Sequence, residues 1–364
     1  MSEKNKNLRV LVVGCGNMGA SHATAYHTLD GFEICGLVSR GKSNEVLNNK
    51  LGGGYALYAD FYEALASAQP DAVCISTYPD THEEYAVKAF ESGCHVFIEK
   101  PLADTVEGAR SVAAAAETAG KKLLIGYILR YHPSWEKFIE ISQGMGKPLV
   151  MRMNLNQQSS GPKWTVHKNL MNSLSPIVDC AVHYIDVMCQ MTRSKPVQVY
   201  AIGARLTDEI PDWNYNYGQL QIRFEDGSVG WYEAGWGPMV SETAFFIKDV
   251  FGPKGAVSII AKDASKEGQS DSIEAHSKTE SLKIHYADLN EKGVFSKPDE
   301  WIDLTDEPDH QELCNREQRF FLKSILEDIN LTDPTADAIN SLKIAFACDE
   351  SVKTGQVVLL NEGA

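Results

Sequence analysis

The sequence predicts an α/β protein that begins with a doubly wound parallel sheet and continues into an α+β domain with an open, mostly antiparallel sheet. Up to residue 128, short β-branched runs alternate with helical segments, a pattern typical of parallel sheets with helices on both faces. Beyond residue 129, strand-like runs follow one another with few helices between them, as in antiparallel sheets. The runs are 197–202, 217–224, 228–234, 243–250 and 256–260, and a hairpin turn is predicted at 225–227, which ends in Gly227. We therefore expect two domains, 1–128 and 129–364.

Composition and charge restrict the partners of the protein. The 364 residues include 34 Lys and Arg against 49 Asp and Glu, a formal net charge of -15, which repels nucleic-acid phosphates and anionic lipid headgroups. No run approaches the roughly 18 apolar residues that a membrane span needs, and no apolar signal core opens the sequence. The eight cysteines form no CxxC pair, as in a reducing compartment. We expect a cytoplasmic protein without nucleic-acid or membrane partners.

A glycine-rich loop follows the first predicted strand, 8–13, and precedes a predicted helix, 17–29. Its first glycine permits a tight turn, its second lets a pyrophosphate approach the backbone, and its third lets the helix lie against the strand. The amino terminus of the helix adds amide N–H groups and positive potential. This context predicts a Rossmann domain that binds a dinucleotide through Gly14, Gly16, Asn17, Met18 and Gly19.

The end of the second predicted strand, 32–38, bears on the choice of cofactor. An NAD-preferring domain usually carries a carboxylate there for the ribose hydroxyls, whereas this chain has Ser39 and Arg40. A hydroxyl and a guanidinium suit a 2′-phosphate, so the sequence favours NADP(H) over NAD(H). An Arg40 side chain that points into water, and the use of both cofactors, stay open.

The remaining elements of the first domain alternate as a parallel sheet requires. They are predicted as helix 61–68, strand 71–77, helix 81–92, strand 95–99, a helix capped by Asp104 that ends before Gly120, and strand 122–127. The ligand of such a sheet lies beyond the carboxyl ends of its strands. Lys100, at one of these ends, offers a cation where a hydroxyl loses its proton, although a surface lysine before a loop proline is the plainer interpretation.

A helix predicted to begin at Ser175 carries a carboxylate and an imidazole on one face. Ser175 suits the cap and Pro176 the first turn, and Asp179 and His183 stand four residues apart, off the apolar stripe. By itself such a pair is typical of a solvated helix face.

Together these motifs resemble the Gfo/Idh/MocA family of oxidoreductases, named after glucose-fructose oxidoreductase and inositol dehydrogenase. The resemblance rests on GCGNMG at 14–19, Glu99-Lys100-Pro101-Leu102, and Asp179 with His183, supported by segments 76–82, 130–133 and 252–255. It implies further cofactor-binding residues, namely Ser76, Thr77, Pro79, His82, Glu99, Lys100 and Arg130. It also implies a homodimer or homotetramer, and two final helices, 311–329 and 335–354, against the underside of the second domain.

The resemblance implies a catalytic set of Lys100, Asp179 and His183. His183 would accept the hydroxyl proton of the substrate, Lys100 would hydrogen-bond the same oxygen, and Asp179 would orient a neighbouring hydroxyl while hydride moves to nicotinamide C4. The expected substrate is a sugar, a sugar derivative or a cyclitol, bound as a polyol.

Aromatic and polar residues of a predicted loop, 157–168, are candidate walls of the substrate site. Aromatic faces suit the C–H surfaces of a sugar ring, and ordinary packing is the alternative for each residue. The predicted substrate-binding set is Lys100, Gln157, Trp164, His167, Asp179 and His183. No histidines stand at metal-ligand spacing, so no metal site is predicted.

Two other functions remain compatible with the sequence. An NAD-dependent glycosidase would oxidise C3 transiently and eliminate the glycosidic bond, and it would need a base near C2, for which Tyr131, His132 and His167 are candidates. A nicotinamide sensor without turnover would be expected to lack Lys100 or His183, and both are present.

Overall fold

The computed structural model describes residues 7–241, 246–260, 270, 272 and 277–360. The chain forms two compact units, one made of the residues up to Tyr131 with Gln311–Asn340, and the other of His132–His310 with the residues from Ser341 onward. The predicted second domain, 129–364, therefore needs a correction, because a segment near the end of the chain belongs to the first unit. In the described part of the chain, none of the helices combines the length and apolar character that crossing a membrane requires.

The first unit is a parallel sheet flanked by helices. Its strands are β1 (Leu8–Val13), β2 (Phe32–Val38), β3 (Leu57–Tyr58), β4 (Ala72–Ile75), β5 (His95–Ile98) and β6 (Leu123–Ile125). Its helices are α1 (Asn17–Thr28), α2 (Ser43–Lys50), α3 (Phe61–Ala68), α4 (His82–Glu91), α5 (Val106–Ala119), two 3-10 turns (Pro79–Thr81 and Ile128–Tyr131), α9 (His310–Leu326) and the first part of α10 (Thr332–Thr354). The strand order is β3-β2-β1-β4-β5-β6, with all strands parallel. Successive strands are added on one side of β1 up to β3 and on its other side from β4 onward, so the order of addition shows a reversal between β1 and β4. This reversal confirms the predicted doubly wound sheet, in which ligands bind at the switch point.

Helix α9 belongs to the first unit because its apolar face completes the core of the parallel sheet. The Phe321 side chain is fully buried, and its ring centroid lies 6.2 Å from those of Phe32 and Phe97. One turn earlier, the Tyr26 hydroxyl donates to Gln318 Oε1 over 2.5 Å. The predicted position of this helix under the second domain is therefore wrong, and helix periodicity alone could not reveal which sheet the apolar face covers.

The ends of helix α5 show one capping prediction that is correct and one that is not. Gly120 adopts the left-handed conformation that ends α5, as predicted. The cap at the other end of α5 is Thr105, whose side chain accepts from Gly108 N, and not Asp104. The hydroxyl stands at the residue immediately before the first helical turn, where a cap must lie to reach the free amides.

The second unit is built on a nine-stranded sheet. Its strands are β7 (Val150–Gln158), β8 (Pro196–Ala204), β9 (Tyr217–Phe224), β10 (Val229–Gly237), β11 (Lys248–Gly252), β12 (Gly255–Ile259), β13 (Ser281–Tyr286), β14 (Glu300–Asp303) and β15 (Val358–Leu359). Its order is β14-β13-β12-β11-β7-β10-β9-β8-β15, with β7 and β10 parallel and the other pairs antiparallel. The mostly antiparallel sheet is therefore confirmed.

Helices cover one face of this sheet. They are α6 (Pro133–Gly144), α7 (Gly161–Leu170), a π-helical turn (Ile177–Ala181) and α8 (Val182–Thr192), joined by the later part of α10. Tyr184 of α8 stacks on Tyr232 of β10 with ring centroids 4.9 Å apart, and Trp135 of α6 meets the Tyr184 ring at 5.9 Å. The predicted loop 157–168 is mostly helix α7, since Pro162 suits a first helical turn. The beginning of a strand predicted at 243–250 lies outside the described residues.

Candidate active site

The glycine-rich loop of the first unit has the geometry of a phosphate cradle. Gly14 has φ +89°, and a Cβ atom there would lie 2.7 Å from the Ser76 carbonyl carbon. A Cβ atom on Gly19 would overlap the Gly14 carbonyl, whereas one on Gly16 would meet nothing within 4 Å. The first and third glycines are therefore required by the protein itself, and the second leaves space for a ligand. Because α1 begins at Asn17 without an acidic residue in its first turn, these residues fit a dinucleotide pyrophosphate.

The turn after β2 presents hydroxyls and cations without a carboxylate. Ser39 Oγ lies 2.7 Å from Ser43 Oγ at the start of α2, and Gly41 N donates to Ser39 Oγ. Arg40 and Lys42 are exposed on the same turn. Sequence reasoning named Ser39 and Arg40 but missed Ser43 and Lys42, which a wider window beyond the strand would have included.

The loop after β4 is fixed to the loop after β5 through His82. The imidazole is fully buried, with Nδ1 2.8 Å from the Pro101 carbonyl and Nε2 3.1 Å from the Thr77 carbonyl. Burial lowers the pKa of His82, although both carbonyls act in the opposite direction. His82 therefore ties the two loops together, because each of its ring nitrogens faces a protein carbonyl. Within the same loop, Pro79 opens a 3-10 turn and Thr77 Oγ1 lies 2.7 Å from Thr81 Oγ1.

Glu99 and Lys100 follow β5 directly, and the Lys100–Pro101 peptide is cis. The Glu99 carboxylate is buried, with Oε1 2.7 Å from His22 Nε2 and Oε2 accepting from Lys100 N over 3.2 Å. Burial acts to raise the pKa of Glu99, but the His22 hydrogen bond and the Lys100 charge outweigh it, so this pKa lies below its ordinary value. Glu99 is thus an anion held inside the protein, beside the predicted catalytic lysine.

Arg130, predicted to bind the cofactor, lies just beyond β6 in a 3-10 turn. Its Nη2 donates to Asp337 Oδ2 over 2.8 Å, and its guanidinium lies 5.8 Å from the Tyr127 ring centroid. Part of its charge is therefore balanced within the first unit.

In the second unit, Asp179 and His183 lie on the π-helical turn and the first turn of α8. Ser175 caps this segment, because its Oγ accepts from Val178 N over 3.1 Å. The Asp179 side chain is buried and the His183 side chain is half-buried. A π turn adds one residue to the helical repeat and often occurs at functional sites, a departure that the spacing in the sequence did not indicate.

The predicted substrate residues of the second unit converge around Trp236, the tryptophan near the end of β10. Gln157 Oε1 accepts from Trp236 Nε1 over 2.8 Å, and the His167 ring stacks on Trp236 at 4.5 Å with a 10° interplanar angle. Cys180 Sγ bridges the group, 3.6 Å from Asp179 Oδ2 and 4.0 Å from Gln157 Oε1. The structure therefore unites Gln157, His167 and Asp179. Trp236 and Cys180 were missed as site residues, since neither stands in a motif.

Trp164 lies on α7 beside the end of β10. A Cβ atom on Gly237 would lie 3.3 Å from its ring, and Trp164 Nε1 donates to Glu209 Oε1 over 3.3 Å. Its indole is mostly buried, so it supports the wall next to Trp236.

The candidate bases for glycosidic elimination are each partly or fully enclosed by other groups of the protein. His132 is fully buried; its Nδ1 accepts from Ser134 N, and its Nε2 lies 3.7 Å from Glu307 Oε2. Tyr131 is half-buried, and burial raises the pKa of its hydroxyl. His167 Nδ1 lies 2.8 Å from Ser159 Oγ.

Comparison with known protein families gives two matches in chain order. A family described as an oxidoreductase family with an NAD-binding Rossmann fold, GFO_IDH_MocA, matches residues 8–127. A GFO/IDH/MocA C-terminal domain matches residues 141–257. Together the two matches cover more than half of the chain.

Individual proteins that resemble this chain share only a limited part of its sequence. An inositol 2-dehydrogenase from Klebsiella pneumoniae is 30% identical over 188 residues, which are 50% of this chain and 53% of that protein; the chain thus spans about half the length of the curated relatives it matches. Among solved structures, myo-inositol 2-dehydrogenase from Lactobacillus plantarum has a TM-score of 0.76 and 20% identity, covering 98% of this chain and all of that one. Scyllo-inositol dehydrogenase from Lactobacillus casei, with bound NAD(H) and scyllo-inositol, has a TM-score of 0.74 and 21% identity, covering 97% and 99%. At these identities the solved structures share the fold.

Proposed function

The chain belongs to the Gfo/Idh/MocA family of oxidoreductases, and from this premise we propose that it transfers a hydride between a nicotinamide cofactor and a secondary hydroxyl or ketone of a sugar, sugar derivative or cyclitol. The observation that carries the proposal is the glycine cradle at Gly14, Gly16 and Gly19, followed by Lys100 in the first unit and by Asp179 and His183 in the second. The relatives named inositol 2-dehydrogenase support the cyclitol class.

The protein's own residues would bind, orient and exchange a proton. His183 would take the proton of the substrate hydroxyl, the Lys100 ammonium would stabilise the negative charge on that oxygen, and Asp179 would accept a hydrogen bond from a neighbouring hydroxyl. A bound nicotinamide would supply the hydride acceptor or donor. Gln157, His167 and Trp236 form a polar and aromatic wall that suits a ring with many hydroxyl groups.

The proposal is tested with purified protein, first by titration with NADP(H) and NAD(H) followed through nicotinamide fluorescence, and then with a panel of cyclitols, polyols and sugars. We expect reversible formation of free reduced cofactor with at least one cyclitol or sugar. Tightly held cofactor, no accumulation of its reduced form, and solvent deuterium entering C2 of a glycoside would instead indicate the glycosidase. Binding of cofactor without turnover of any substrate would indicate a sensor.

We further propose that the protein prefers NADP(H), with the turn after β2 as the 2′-phosphate site. Two hydroxyls and two exposed cations on this turn support the proposal, because a phosphate favours charged donors.

Arg40→Glu should weaken NADP(H) binding by about 10- to 100-fold, the loss expected for one charged hydrogen bond with added repulsion. NAD(H) affinity should change by less than about threefold. Lys50→Glu, at the exposed end of α2, makes the same change of charge away from this turn and should alter neither affinity. Tighter binding of NAD(H) by the unaltered protein, or an unchanged NADP(H) affinity in Arg40→Glu, would show the assignment to be wrong.

We also propose a cytoplasmic homodimer or homotetramer. All eight cysteines, each within the described residues, are present as thiols, which suits a reducing compartment. The outer face of the nine-stranded sheet exposes large apolar side chains, and such a surface favours association between copies. These side chains are Tyr200, Ile202, Val229, Phe251 and Trp301.

A further inference from the structure

A buried hydrogen-bonded chain of side chains joins helix α9 of the first unit to the amide of Lys100. The Tyr26 hydroxyl donates to Gln318 Oε1 over 2.5 Å, and Gln318 Nε2 lies 3.0 Å from His22 Nδ1. His22 Nε2 lies 2.7 Å from Glu99 Oε1, and Glu99 Oε2 accepts from Lys100 N. His22 and Gln318 are both 0% exposed.

The orientation of the Gln318 amide assigns a hydrogen-bonding role to each nitrogen of His22. Gln318 uses its oxygen for Tyr26, so its amide nitrogen faces His22 and can only donate. With Gln318 in this orientation, His22 Nδ1 accepts from the amide, and Nε2 is the nitrogen that donates to Glu99. Gln318 of α9 thus selects the tautomer that holds the carboxylate.

The Glu99 carboxylate is confined on three sides. His22 and the Lys100 amide hold one oxygen each, and Gly126 faces the carboxyl group so closely that an added Cβ would lie 3.2 Å from it. A carboxylate fixed in this way sets the backbone of Lys100. Its charge also stabilises the ammonium of that residue.

We propose that His22 is a positioning residue, which with Gln318 holds the Glu99 carboxylate so that Lys100 is oriented and kept as an ammonium. The proposal rests on the proposed function for the meaning of Lys100, but not for its test, which measures the charge of the lysine directly.

Two further titratable groups of α9 face His22. One ring nitrogen of His22 lies within 4.8 Å of both Cys314 Sγ and a Glu317 carboxylate oxygen, which lie equally close to each other. Residues of these three types can bind metals, and their spacing in the sequence did not predict this grouping. Both His22 nitrogens are already engaged with Glu99 and Gln318. Burial, reinforced by the negative charge of Glu99, raises the pKa of Glu317 well above its ordinary value. The raised pKa favours the protonated form of Glu317, whereas the lowered pKa of Glu99 favours its carboxylate.

The test is competitive labelling of lysine amines with acetic anhydride as a function of pH, read by peptide mass spectrometry on the full-length protein without substrate. Only the unprotonated amine reacts, so the profile reports the charge of Lys100. In His22→Gln we expect the titration of Lys100 to fall by about one pH unit, hence about tenfold more labelling at a fixed lower pH. Gln318→Met, which preserves the length of the side chain, should produce a smaller shift in the same direction, roughly threefold.

Two controls separate this effect from general damage. His27→Gln changes an exposed histidine of the same helix, α1, and should give the unaltered profile. Lys88, an exposed lysine, is an internal standard whose labelling should not change. If His22→Gln fails to fold, Gln318→Met decides. Unchanged Lys100 labelling in the folded variants would overturn the proposal.

Turnover provides the second readout. If a substrate is found, the high-pH limb of the kcat profile should move to lower pH by about one unit in His22→Gln. A lower kcat with an unchanged profile would mean that His22 is merely structural, against the proposal. A labelling shift in a protein that turns over no substrate would uphold the hydrogen-bonded chain while refuting the proposed reaction.

Discussion

Lys100→Met and His183→Ala should each lower kcat by about 10²- to 10⁴-fold, the range expected when a group that stabilises or transfers the reacting proton is removed. Methionine keeps the length of the lysine side chain but has no charge, and alanine removes the imidazole that would accept the hydroxyl proton. The cofactor affinity of His183→Ala should stay within about threefold, because the glycine cradle, the turn after β2 and Lys100 are unchanged. The measurement is stopped-flow absorbance of the nicotinamide at saturating substrate, with cofactor affinity from fluorescence titration.

Matched variants distinguish this loss from a general effect of substitution. Lys88→Met removes an exposed lysine paired with Glu91, and His27→Ala removes an exposed histidine; both should turn over at the unaltered rate. Asp179→Asn should mainly raise KM, because its proposed partner is a hydroxyl that does not react. Wild-type turnover by Lys100→Met or His183→Ala across the saturation curve would refute the assigned roles.

Gly19→Ala and Gly16→Ala should fail in different ways, although both alter the same loop. The added methyl of Gly19→Ala would overlap the Gly14 carbonyl, with the carbonyl carbon only 2.8 Å away. Backbone must move to accommodate it, and we expect a loss of about 3 kcal/mol or more in the free energy of unfolding. Gly16→Ala has open space around the new methyl and should unfold like the unaltered protein. Its dinucleotide affinity should fall by about 10- to 100-fold, because the methyl occupies the approach of the pyrophosphate.

Denaturant unfolding and fluorescence titration, made on the same preparations, separate the two effects. Gly144→Ala in α6 is the control, because a Cβ atom there also meets nothing within 4 Å. It should change the free energy of unfolding by no more than about 1 kcal/mol and should leave cofactor affinity unaltered. Unaltered dinucleotide affinity in Gly16→Ala would show that the loop is not the phosphate site.

The parts of the fold that sequence predicted correctly are those that short-range chemistry determines. The glycine loop between β1 and α1, the cap at Ser175 and the turn at Gly227 each depend on a few neighbouring residues. A strand, a glycine spacing and a helix together have few alternative structures. The parallel sheet and the helix that carries Asp179 and His183 could therefore be predicted from local patterns alone.

What could not be predicted depends on contacts between distant residues. His22 and Gln318 are 296 residues apart in sequence, and no local pattern of α9 indicates which sheet it covers. The π turn under Asp179 and the stacking of His167 on Trp236 also arise from packing, which propensities do not encode. His82 shows the converse case, since its place in a cofactor motif suggested ligand contact while its ring nitrogens join two loops.

The membership of α9 in the first unit has a consequence for synthesis. A ribosome that has completed Tyr131 has made every strand of the parallel sheet, but the aromatic cover supplied by Phe321 is still about 190 codons away. At roughly 5–20 residues per second, that interval lasts on the order of 10 s or more. During this time Phe32 and Phe97 are not yet covered by Phe321. The exposed apolar surface of the nascent sheet would therefore favour aggregation or chaperone binding. A fragment that stops before Gln311 should accordingly aggregate rather than fold into an independent nucleotide-binding domain.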